Sequence, residues 1–116
     1  MNTLTTKGKI YNSLPMEIKT ILINSDGWLV GSSIKSILDD EPVNDYDIIV
    51  PVLNWHKTMI NLRDYPFELN TFGGMKFSFD ELTIDIWPED FDNFLKKALH
   101  FTYLYNLPNQ ILLENV

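Results

Sequence analysis

Asp45 and Asp47, in the run Asp45-Tyr46-Asp47-Ile48-Ile49-Val50, are the residues of this 116-residue chain whose types and spacing best suit chemistry. Strand side chains alternate, so carboxylates two residues apart on a strand project from one surface. Two like charges at that range raise each other's energy unless a cation, a donor or a proton offsets them. A surface of this kind holds divalent cations with little conformational loss, and cations so held stabilise oxyanions and activate hydroxyls. Upstream, Gly31-Ser32 separates an apolar Trp28-Leu29-Val30 run from a short helical pattern. Glycine lets backbone approach a ligand, and the free N–H groups at a helix start favour phosphate. Residues 33–44 then give room for two helical turns and a return to a neighbouring strand, so that loop and carboxylates meet at one sheet edge. A third acid, Asp85, stands alone in Leu82-Thr83-Ile84-Asp85-Ile86-Trp87, where a mid-strand acid needs a partner or water. If that strand neighbours the strand of Asp45 and Asp47, three carboxylates converge into a cage suited to two magnesium ions.

Each part has a plainer reading. Asp45 and Asp47 could be solvated strand-end polarity, Gly31 an ordinary strand–helix turn, and Asp85 an exposed hairpin residue beside Thr83. The combination at this spacing is rarer than its parts.

The elements that must position these groups follow from periodicity. Ser13 is expected to cap a helix from Leu14 to about Asn24, with Pro15 in its first turn and Leu14, Ile18, Ile21 and Leu22 on one face. Ser25-Asp26-Gly27 makes a turn and Trp28-Leu29-Val30 a buried strand. A two-turn helix from Ser32 or Ser33 turns Ile34, Ile37 and Leu38 inward and stops near Asp39, before Glu41-Pro42. Asp45 to Pro51 is a strand with Tyr46, Ile48 and Val50 on its apolar face, and Leu53 to Leu62 is a helix. Phe67 to Asn70 reads as a strand, Thr71-Phe72-Gly73-Gly74 as an unusual backbone path, and Met75–Phe79 with Leu82–Trp87 as a hairpin. Pro88-Glu89-Asp90 opens a final helix with Phe91, Phe94, Leu95, Ala98 and Leu99 inward, and Pro108 ends any helical run beyond it. This order predicts an α/β (α+β) fold in which helices pack on a mixed β-sheet. Trp28, Trp55, Trp87 and the phenylalanines are assigned to the core, His56 and His100 to the surface or to helix packing. Lys76 is left outside the site as a solubilising hairpin residue.

Bulk composition narrows the function. Hydrophobic residues at 45% and aromatics at 13%, without repeats, argue for one folded domain over residues 1–116. The net charge is -7 with only nine lysines and arginines, which disfavours an extended nucleic-acid footprint but suits a small nucleotide whose charge magnesium carries, or a basic protein partner. With no cysteine and two isolated histidines, zinc is not expected. The acid run Asp39-Asp40-Glu41 lacks the glycine and closing glutamate of a calcium loop. The start of the chain lacks a signal-peptide core and no apolar run is long enough to span a bilayer, so the expected location is cytoplasmic, off the membrane.

Gly31-Ser32, then Asp45-Tyr46-Asp47-Ile48, then Asp85 resembles the nucleotidyltransferase superfamily of the DNA polymerase beta type. Gly31-Ser32-Ser33-Ile34-Lys35-Ser36-Ile37-Leu38 is similar to the Gly-Gly-x-x-Arg-Asp-x-Leu stretch in the head domain of tRNA nucleotidyltransferases and bacterial poly(A) polymerases. Phe72-Gly73-Gly74-Met75-Lys76 leading to Ile84-Asp85-Ile86-Trp87-Pro88 is similar to small stand-alone relatives of that domain, and the resemblance spans roughly residues 25–90. It implies a minimal nucleotidyltransferase-like domain that transfers a nucleoside monophosphate from a nucleoside triphosphate to a hydroxyl on a protein, a small molecule or an RNA end. Asp45 and Asp47 would hold one magnesium ion and share a second with Asp85, manganese being the alternative metal. Gly31 and Ser32 would contact the β and γ phosphates, and Lys35 would neutralise charge. The sequence departs from the pattern in Lys35 for Arg and Ser36 for Asp, and the downstream domains that hold base and acceptor RNA are expected to be missing. The rival reading is a nucleotidyltransferase-like nucleotide-binding or regulatory partner, antitoxin-like, without turnover.

Overall fold

A computed structural model describes residues 3–71 and 73–115, with the side chains of Thr3, Leu4, Thr5 and Phe79 outside the description. Phe72, part of the expected unusual path, also lies outside the described residues. The chain runs α1 (Thr3–Ser13), α2 (Met16–Ser25), β1 (Trp28–Val30), α3 (Ser32–Leu38), β2 (Asp45–Pro51), a 3-10 turn (Val52–Asn54), α4 (Trp55–Leu62), β3 (Phe67–Leu69), β4 (Met75–Phe79), β5 (Leu82–Glu89), α5 (Phe91–Ala98), β6 (Tyr103–Asn106) and β7 (Ile111–Glu114). The strands form one sheet in the order β3-β4-β5-β2-β1-β6-β7. Only the central β2–β5 pair is parallel; every other pair is antiparallel. A mixed sheet with helices packed on it is therefore what the chain builds, and among the described residues no helix is long and apolar enough to cross a membrane.

Alternation along each strand divides the sheet into two faces. One face carries Leu29, Tyr46, Ile48, Val50, Phe77, Ile84, Ile86 and Tyr105, and the first four helices close over it with Ile10, Ile18, Leu22, Ile34 and Leu62. The other face carries a smaller cluster, Val30, Ile49, Trp87 and Leu104, against which Trp28, Phe94 and Ala98 pack. Helix α5 is fastened there by its Asp90 cap, whose side chain accepts from the Asn93 N–H at 2.8 Å, and by the Glu89–Lys97 ion pair.

One element was not anticipated and three sequence expectations need correction. Residues 3–13 form α1, whose polar composition hides its place in the main core: Ile10 is fully buried there. The next helix starts at Met16, not at a Ser13 cap, because Pro15 is its N-cap residue and the chain first closes α1 at Ser13. No helix continues toward Pro108; Tyr103–Asn106 and Ile111–Glu114 pair antiparallel around a turn in which Gln110 takes a left-handed φ of 54°. Here β-prone aromatic and aliphatic residues flank turn formers, and pairing with β1 rewards them as strand. In α5 only Phe94 and Ala98 face the sheet, while Phe91 and Leu99 are 73% and 80% exposed and Leu95 is also exposed, so these side chains, like the exposed Phe67, are not core.

Since α1 is held by packing and not by intrinsic helix preference, Ile10→Ala should lower unfolding free energy by about 2–4 kcal/mol. A urea-denaturation midpoint unchanged from the native chain would show that α1 does not belong to the core.

Candidate active site

The parallel pairing of β2 with β5 decides where the acids meet. Its register sets Asp45 opposite Thr83 and Asp47 opposite Asp85, and continues to Pro51 opposite Glu89. Directly paired residues on neighbouring strands share a face and lie about 4.8 Å apart along the hydrogen-bonding direction. Asp47 and Asp85 therefore stand side by side on the face opposite the main core. Carried across all seven strands, this row reads Glu68, Lys76, Asp85, Asp47, Val30, Leu104, Leu113. The row beside it, pointing the other way, reads Leu69, Met75, Ile86, Ile48, Leu29, Tyr105, Leu112, without a charge. A register slip of one residue would bury the acids and expose the aliphatics, which is why the core fixes the site.

On the β1 side the backbone closes against Asp47. Gly31 sits at φ 84°, ψ -160°, a conformation essentially reserved for glycine. A Cβ at that position would lie 2.8 Å from Asp47 Oδ2. Both reasons require glycine at this position, and the second ties it to the Asp47 carboxylate. Ser32 follows as the exposed first residue of α3. Lys35 is not drawn to the acids: its ammonium is held by Asp39 one turn along α3 at 2.8 Å, and that hydrogen bond raises its pKa.

On the β5 side, Asp85 has an anchor that sequence reading missed. Asn70 donates from Nδ2 to Asp85 Oδ1 at 3.3 Å and to the Met75 carbonyl at 3.0 Å, while its Oδ1 accepts from the Gly74 N–H at 2.9 Å. Gly74 lies so tightly on β5 that a Cβ would meet the Ile86 carbonyl oxygen at 2.0 Å. The turn after β3 is thus pinned onto the strand that carries Asp85. The available signal was an asparagine preceding a double glycine, a turn mark whose side-chain partner only the fold supplies.

Electrostatics follow from this crowding. Burial, then the Asp85 carboxylate, then that of Asp45, push the Asp47 carboxyl up to about 6. Asp45, at the exposed start of β2, is the outermost of the three. Among the described residues no three acids or histidines are gathered closely enough to ligate one ion as they stand. The donor set nonetheless fits a hard divalent cation: oxygen ligands on rigid strands, one of them held against its own preference for ionisation.

Two expected outcomes follow. The folded pKa of Asp47 lies above its ordinary value of 3.8, so its penalty is absent below about pH 4, grows as pH rises toward 6 and is complete above it. At ~1.4 kcal/mol per pH unit of displacement, cut for the water that still reaches the group, Asp47→Asn should stabilise the protein by about 1–2 kcal/mol at pH 7–8 and by nothing at pH 3.5. Thermal unfolding across pH reads this directly, and a gain that does not depend on pH would contradict it. Asn70→Ala should cost about 1–3 kcal/mol and deprotect the Gly74 amide to hydrogen exchange; unchanged exchange there would remove Asn70 as the anchor.

No protein-family profile matches the chain, and no curated protein matches it in sequence. Its fold matches solved structures of CCA-adding enzyme. The complex with ATP aligns at a TM-score of 0.64 and 17% identity over 92% of this chain and 32% of the enzyme chain. The complex with CTP aligns at 0.62 and 18% over 92% and 31%. The chain thus spans about a third of the length of these enzymes, and what the likeness shows is the fold: a mixed α+β sheet domain shared with part of the CCA-adding enzyme.

Proposed function

We propose that this chain is a magnesium-dependent nucleotidyltransferase that moves a nucleoside monophosphate from a nucleoside triphosphate to an acceptor hydroxyl. The observation that carries the reading is the registered Asp47–Asp85 pair with Gly31 closed against Asp47. Its setting, a fold shared with enzymes solved with ATP and CTP, supports it.

Asp45, Asp47 and Asp85 would hold the metal, magnesium or manganese. When bound, it supplies positive charge at the phosphate oxygens and at the attacking oxygen. Asp47, ionising only near pH 6, gives up its proton most readily when a cation offsets its neighbours. Gly31 brings the β1–α3 backbone against Asp47, and Ser32 beside it would offer its N–H and hydroxyl to a phosphate as donors. Asp85, on the far side of Asp47 from Gly31, faces the entering acceptor. The acceptor oxygen bonds to the α-phosphorus, the bond to the β-phosphate oxygen breaks, pyrophosphate leaves, and the acceptor proton passes to Asp85 or to water. Lys35, committed to Asp39, is given no role in this step. The acceptor is a small molecule, a protein or an RNA end, while a net charge of -7 disfavours an extended nucleic-acid footprint.

The test is incubation with labelled nucleoside triphosphates, magnesium and a host extract, comparing the native chain with Asp47→Asn. Transfer of label that the substitution abolishes is the expected result. Magnesium-dependent nucleotide binding with no transfer would instead identify a binding or regulatory protein, the reading favoured by the engaged Lys35. Magnesium or manganese should also raise thermal stability by mass action, and the Asp45→Asn, Asp85→Asn double variant should lose that response; an undiminished response would mean that these acids hold no metal.

A further inference from the structure

Three polar side chains on the β4 side of the acids have no assigned role. Lys76 lies opposite Asp85 in the β4–β5 register and opposite Glu68 in the β3–β4 register. Ser78, two residues along β4, shares its face and is paired with Thr83, which is in turn paired with Asp45. Lys76 and Ser78 are exposed and Thr83 is half-buried. Among the described residues the Lys76 ammonium makes no ion pair, although acids flank it on both neighbouring strands. The Ser78 and Thr83 hydroxyls likewise make no hydrogen bond among the described residues, while Asn70, on the same β4 flank, already donates to Asp85.

Position separates this group from the Gly31 side. In order across the sheet stand Lys76, Asp85, Asp47 and then Val30, which precedes Gly31. The acids are therefore bracketed, with glycine and Ser32 on one flank and an ammonium with two hydroxyls on the other. β4 is not an edge strand, since β3 lies outside it, so Lys76 is not needed to shield an open edge. An ammonium and two hydroxyls projecting from one rigid surface supply up to five donors to one tetrahedral oxyanion. Carboxylates alone would repel that oxyanion, and a lysine beside them offsets this.

We infer that Lys76, Ser78 and Thr83 form a phosphate-binding subsite on the β4 flank of the acids, opposite the Gly31 flank. The inference deepens the transferase reading and rests on it for the identity of the larger ligand. The phosphate it takes belongs either to the nucleotide or to the acceptor, and the two sources separate by experiment.

Calorimetric titration of the full chain with ATP in magnesium, and with inorganic phosphate in magnesium plus a saturating non-hydrolysable ATP analogue, measures each source. Lys76→Ala should weaken one of these about tenfold, Lys76→Arg should recover most of the loss, and Ser78→Ala with Thr83→Val should weaken the same ligand. Lys57→Ala on α4 serves as the control for a general loss of positive charge. A loss in the ATP titration assigns the subsite to the nucleotide, and a loss in the phosphate titration alone assigns it to the acceptor. Thermal stability should stay level in Lys76→Ala, since its side chain packs against nothing in the core. Unaltered binding of both ligands in Lys76→Ala overturns the subsite while leaving the transferase reading intact. Loss of label transfer in Asp47→Asn with phosphate binding still dependent on Lys76 keeps both. A native chain that binds neither ligand overturns both.

Discussion

Two carboxylates of the same sign, Asp47 and Asp85, are held side by side by a hydrogen-bonded register, and the rest of the domain is arranged around that imposition. Left to themselves the two groups would move apart or one would keep its proton, and Asp47 does lean toward the protonated form. The pair persists because the same strands that carry it also carry Tyr46, Ile48, Ile84 and Ile86 into the main core. To separate the acids, the chain would have to give up that aliphatic row. Hydrophobic burial on one face thus stores unfavourable electrostatics on the other.

The elements flanking the pair share one feature, the close approach of backbone. Gly31 brings the end of β1 against the Asp47 oxygen, and Gly74 lays the turn before β4 onto β5 just past Asp85. Asn70 ties that turn to Asp85 itself. Each acid is consequently buttressed from the side away from its partner, which limits the room either has to escape repulsion. Asp45, at the exposed start of β2, lacks such a buttress and is the member of the trio with most freedom to reorient.

The sheet is closed unequally. Four helices cover the face with the main core, whereas α5 alone covers part of the other, over Trp28, Ile49 and Trp87. Asp45 and Asp47 lie outside that cluster. A mixed sheet with one helical face and one partly open face is what the alternation of Asp47, Ile48 and Ile49 along a single strand requires, because that strand must satisfy water, core and a second cluster in turn.

Much of this was legible in local pattern. The extent of β2, the inward set Tyr46, Ile48 and Val50, the short helix after Gly31 and the hairpin of β4 with β5 follow from periods of two and 3.6 and from turn residues, which act over a few neighbours. The candidate acids and Gly31 were legible for the same reason, as types at a spacing. Helix α1 was not, because its polar sequence is helical through what Ile10 packs against, and neither was the β6–β7 hairpin, which needs β1 as its template. The parallel pairing that sets Asp85 beside Asp47, the Asn70 anchor, the withdrawal of Lys35 to Asp39 and the open side chains of Lys76, Ser78 and Thr83 join residues distant in sequence or choose between partners equally near. By itself the sequence determined the central strands β1, β2, β4 and β5, the helices between them and the apolar faces of those strands. Only the tertiary structure decided which charges face one another, because contact between separate strands depends on register and order in the sheet, and no local period encodes either.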